Sequence, residues 1–93
     1  MQYAIASDIV YFDKLYHEEV ILMELSEIIK TVRLELGLSQ EGLARELHVG
    51  FTSVNRWENN HSKPNQIARH ALIELCKNNN INSELVTLLS KAK

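Results

Sequence analysis

The stretch Leu38-Ser39-Gln40-Glu41-Gly42-Leu43-Ala44-Arg45-Glu46-Leu47-His48-Val49-Gly50-Phe51-Thr52-Ser53-Val54-Asn55-Arg56-Trp57-Glu58-Asn59-Asn60 decides how this chain folds. Leu43, Ala44 and Leu47 recur at helical steps, and Ser39 stands ahead of them as an N-cap. After a break at 48–50, Val54 and Trp57 repeat the step and predict a second helix over 51–59. Ala44 is small where two helices would cross closely. Leu43 and Leu47 face the core, Val49 plugs the turn, and Val54 and Trp57 lock the second helix onto the rest. The face left outward carries Phe51, Thr52, Asn55, Arg56 and Asn59, polar apart from one aromatic.

On the N-terminal side, Leu25, Ile28, Ile29, Val32 and Leu36 predict a helix over 24–36, stopped by Gly37. On the C-terminal side, 60–63 is a polar loop, and Pro64 fits the first turn of a further helix, where its missing N–H is no loss. That helix is expected to bury Ile67, Ala68, Ala71, Leu72 and Leu75 and to end at Asn78-Asn79-Asn80. Asn82 or Ser83 caps a last helix with Leu85, Leu88 and Leu89 inward. The reading is an all-α domain of five helices over 23–93. Residues 1–22 form an N-terminal extension holding Tyr3, Tyr11, Phe12 and Tyr16. Helical spacing there predicts an extra helix, with a strand at 9–12 as the alternative. Its aromatic surface needs a cover, which makes it a candidate dimerisation segment.

Ninety-three residues make one small domain, and 45% apolar with 24% charged residues is an ordinary soluble globular composition. The longest apolar run, Val20-Ile21-Leu22-Met23, falls far short of a bilayer span of about 20 residues, so no membrane partner is expected. No basic flank at the N-terminus suggests a signal peptide, and the single Cys76 can form no internal disulfide. A reduced, cytoplasmic protein is expected. A net charge of −2 argues at first against nucleic acid. The average conceals a polarity, however. Residues 1–36 hold three basic against seven acidic side chains, whereas 50–93 hold six basic against three acidic.

Two short helices joined by about three residues form a helix-turn-helix. The combination of Leu38-Ser39-Gln40, Leu43-Ala44, Val54-Asn55-Arg56-Trp57-Glu58 and Lys63-Pro64 resembles the phage-repressor (Cro-like, or XRE) helix-turn-helix family over about 24–77. The resemblance implies a five-helix, lambda-repressor-like domain, usually dimeric, that binds double-stranded operator DNA in the major groove. It implies base contacts from Gln40, Phe51, Thr52, Asn55 and Arg56. It implies phosphate contacts from Arg33, Ser39, Asn59, His61 and Lys63, and a scaffold salt bridge between Arg33 and Glu58. The sequence departs from the family pattern at three places. His48 stands where a turn glycine is usual, Gly50 replaces a capping Ser or Thr, and Asn60 replaces a glycine.

Several side chains invite other readings. Trp57 is spaced from Val54 as a core residue rather than as a base-stacking one. His48, His61 and His70 lack metal-ligand spacing with one another or with Cys76. His17-Glu18-Glu19 begins like a zinc-protease motif, but residue 21 is Ile. Cys76 reads as a small core residue. No enzyme, metal or cofactor is expected. The leading functional expectation is a repressor acting as a homodimer on a palindromic operator. The alternative is an antitoxin whose acidic N-terminal part binds a basic toxin while the domain autoregulates its operon. A weaker third reading keeps the motif as scaffold only.

Overall fold

A computed structural model describes residues 23–93, and the expected extra helix and its strand alternative fall outside them. The described residues form five helices and no strand: α1 Leu25–Glu35, α2 Gln40–Leu47, α3 Phe51–Glu58, α4 Gln66–Asn78 and α5 Ser83–Lys91. α2 packs on α3 and α4, α1 on α3 and α5, and α4 on α5. One core results, built from Ile28, Ile29 and Val32 of α1, Leu43 of α2, Val54 of α3, Leu72 and Cys76 of α4, and Leu85 and Leu89 of α5. All of these side chains are essentially inaccessible to solvent.

The first four helices stop in the same way. A residue just past the last turn, the C-cap itself at α2 and the residue after it at the other three, turns left-handed, and two backbone N–H groups fold back onto carbonyls of the last turn. At α1 the turning residue is Gly37 (φ 72°), with Leu38 N–H donating to Arg33 O at 3.1 Å and Gly37 N–H to Leu34 O at 3.0 Å. At α2 it is His48 (φ 58°), with Val49 N–H donating to Ala44 O at 2.9 Å. At α3 it is Asn60 (φ 62°), and at α4 Asn80 (φ 56°), where Ile81 N–H reaches Cys76 O at 3.0 Å. The residue that follows is apolar after α1, α2 and α4, and Leu38, Val49 and Ile81 all pack against the core. These stops are what place a three-residue turn between α2 and α3. After α3 the following residue is His61, which lies exposed.

Helix starts follow side-chain oxygens. Ser39 Oγ accepts from Gly42 N–H at 2.9 Å, Asn65 Oδ1 from Ala68 N–H at 2.8 Å, and Asn82 Oδ1 from Glu84 N–H at 2.7 Å. Gly50, ahead of α3, supplies no such cap. Two expectations for α4 are corrected. Pro64 is not in its first turn: Asn65 takes the cap because its carboxamide satisfies a free N–H, and Pro64 is buried one residue before it. Ile67 is not buried but 81% exposed. The buried row of α4 is Ala68, Leu72 and Cys76, four residues apart, with Ala71 and Leu75 half-buried beside it. Ile67 sits in the first turn, on a shallow depression shared with Gln66, Arg69, His70, Ile73 and Ser90, where none of the described helices packs over it.

Burial raises the Cys76 thiol from 9.0 to about 11. Neutral in the fold, the thiol favours the native state below pH 9.0. That contribution is lost as pH rises towards 11, because the unfolded chain ionises first. A thiol reagent at pH 8 should leave Cys76 untouched in the native protein and label it in denaturant. Rapid native labelling would show that the α4 seam opens.

Candidate nucleic-acid interface

α2 and α3, eight residues each, form the helix-turn-helix geometry with His48-Val49-Gly50 between them. Val54 and Trp57 are buried on the inner side of α3, Trp57 being only 6% exposed. That burial leaves its indole no open face on which a base could stack. Leu43, Ala44 and Leu47 are buried on α2, and Val49 is half-buried at the turn.

The opposite side of α3 carries the outward row. Phe51 is 48% exposed, Thr52 and Arg56 are exposed, and Asn55 is half-buried. Phe51 and Asn55 lie one turn apart on one face, as do Thr52 and Arg56. Asn59 follows the helix, exposed, with its amide Nδ2 donating to Asn55 O at 2.8 Å. His61 is exposed in the loop beyond.

Beside this row lies a network that ties three elements together. Arg33 of α1 grips the Glu58 carboxylate with two parallel hydrogen bonds, Nε to Oε2 at 2.6 Å and Nη2 to Oε1 at 3.0 Å. Its Nη1 donates to Leu38 O at 2.9 Å, in the loop before α2. The two side chains are 11% and 4% exposed. A guanidinium has five N–H groups, so this arrangement leaves two of them. Gln40, the first residue of α2, donates from Nε2 to Glu58 Oε1 at 3.0 Å. Its own Oε1 accepts from Asn55 Nδ2 at 3.1 Å. The sequence placed Gln40 and Asn55 as separate contacts. Their direct link, which continues from Gln40 to Glu58, follows no hydrophobic periodicity, and its only sequence trace is the presence of three polar residues around one helix crossing.

The basic side chains divide. Arg56 projects into solvent from α3. Lys63, placed in the loop after α3, instead donates from Nζ to the backbone oxygen of Lys93. Arg69 of α4 holds the backbone oxygens of Leu89 and Ala92 at the end of α5. Lysine and arginine near a helix C-terminus complement its exposed carbonyls.

Among the described residues, no group of three His, Cys, Asp or Glu side chains is arranged to hold a metal ion. No helix among them is long and apolar enough to cross a membrane. Residues 29–68, which run from α1 into the first turn of α4, match the family described as Helix-turn-helix. No curated protein and no solved structure matches the chain.

Proposed function

The chain carries a Cro-like (XRE) helix-turn-helix domain and is a DNA-binding transcription regulator, and from that premise we propose that it acts as a repressor, two copies binding a palindromic operator. The supporting observation is the outward row of α3, which a major groove of about 12 Å can admit. In this reading Gln40, Phe51, Thr52, Asn55 and Arg56 meet base edges. Arg56 donates both of its hydrogen bonds to guanine O6 and N7, Thr52 reaches a base with its hydroxyl or methyl, and Phe51 packs on thymine methyls.

Ser39, Asn59 and His61 contact phosphate around this row. Lys63 joins them by exchanging the Lys93 oxygen for a phosphate. Arg33 contributes through its two remaining N–H groups while the other three hold the scaffold. One eight-residue helix makes a small interface, so two copies on half-sites about 34 Å apart supply the rest. The N-terminal extension, with its four aromatic side chains, is the proposed dimer contact.

The test is a gel-shift titration against a genomic fragment library. Arg56→Ala should weaken binding to the selected operator about 5- to 100-fold, with an unchanged melting temperature. Undiminished affinity would remove α3 as the reading helix. The acid-rich 1–36 segment favours one second reading, an antitoxin that also binds a basic toxin. A pull-down that recovers a small basic protein and spares the Arg56→Ala variant's capture would support it.

A further inference from the structure

The Glu58 carboxylate is an acceptor without a donor of its own, and both of its oxygens accept from the guanidinium of Arg33. Gln40 must therefore turn its NH2 towards Glu58, because its carbonyl oxygen there would face a carboxylate. The Gln40 carbonyl then points the other way, onto Asn55. That oxygen in turn obliges Asn55 to point its own NH2 inward. Charge at Glu58 thus sets the direction of two successive amides, over links of 3.0 and 3.1 Å.

We infer that Glu58, acting through Gln40, fixes the polarity of Asn55 so that Asn55 selects adenine over guanine. The inference rests on the DNA-binding reading above. With one N–H held by Gln40, Asn55 offers Oδ1 and its second N–H to whatever approaches α3. In the major groove adenine presents an N6 donor next to an N7 acceptor, which complements that pair. Guanine presents two acceptors, O6 and N7, and sets O6 against Asn55 Oδ1. An amide free to rotate by half a turn would offer its NH2 to guanine equally well. Phe51, one turn before Asn55 on the same face, has no polar side-chain atom with which to compete for that base. Gln40 and Glu58 are in this sense positioning residues.

The experiment is selection from a randomised duplex pool with the full chain, followed by affinity measurements on single-base variants of the selected site. Asn55→Ala identifies the base pair Asn55 faces, as the position whose preference disappears. At that position the native protein should prefer adenine to guanine by roughly 10- to 100-fold. Gln40→Met keeps the length of the side chain and removes both of its hydrogen bonds. Its adenine-to-guanine ratio should fall to within about threefold of unity. Loss of a direct base contact from Gln40 alone would act at the base pair that Gln40 itself meets and leave the ratio at the Asn55 position unchanged.

A native preference for another base at that position, or an unchanged ratio in Gln40→Met, overturns the inference while leaving DNA binding intact. Failure of the native chain to enrich any sequence overturns the DNA reading, and the inference with it. Asn55→Asp is a second arm that does not depend on how Gln40→Met folds. Its carboxylate accepts only, so preference at that position should move to cytosine, whose N4 is a donor. Retained adenine preference in Asn55→Asp overturns the inference.

Discussion

Arg33→Ala is expected to destabilise the domain by about 3–5 kcal/mol, the cost of leaving a buried carboxylate without its partner. Glu58 is 4% exposed, so water cannot take the place of the guanidinium. Only the Gln40 amide would still donate to it, and Leu38 O would lose the Arg33 Nη1–H as well. In a domain of this size such a loss corresponds to roughly 15–30 °C in melting temperature and a large part of the total stability. The double variant Arg33→Met with Glu58→Met should recover most of it, since two apolar side chains leave no buried charge. Calorimetry of the single and double variants reads both values. A single-variant loss under about 1 kcal/mol would mean that the pair is solvated and behaves like a surface salt bridge.

The second large effect belongs to Trp57. It is the chain's single tryptophan and is 6% exposed against the motif core. Trp57→Ala should cost about 3–5 kcal/mol, from lost burial together with the cavity that remains. Its expected signature is opposite to that of Arg56→Ala: stability falls, and DNA affinity follows only as far as the folded fraction does. A variant that melts like the native protein yet fails to bind would return Trp57 to the interface. Because this indole is the sole one, tryptophan fluorescence in the native protein reports unfolding of the motif with no second indole to compete.

Much of the fold was legible because helix formation here is written in apolar spacing. The stripes of α1, α2 and α3, and the start of α2 at Ser39, follow from side chains within one or two turns. Ile67 misled because spacing states which way a side chain points along its own helix, and not whether another helix reaches that far. Pro64 misled for a related reason: it suits a first turn, but Asn65 beside it offers the carboxamide a helix start requires. For the candidate site, resemblance to a known family named individual residues, and of the pairings it implied the structure contains Arg33 with Glu58. Its other connections were not legible. That Gln40 bridges Glu58 and Asn55, and that Lys63 and Arg69 hold backbone oxygens near the end of α5, depends on contacts across 15 to 30 positions of sequence.

Of the four left-handed stops that shape the fold, only one is a glycine. His48, Asn60 and Asn80 carry side chains in a region where a Cβ is crowded, at a cost of order 1 kcal/mol that asparagine partly offsets. Asn60 gives something back by donating to Glu24 Oε1 at 3.0 Å, tying the end of α3 to the start of α1. The domain therefore sits below the stability its own backbone would allow. Stabilising replacements at these corners are its evolutionary headroom, from which changes to the outward face of α3 could be tolerated without loss of the fold.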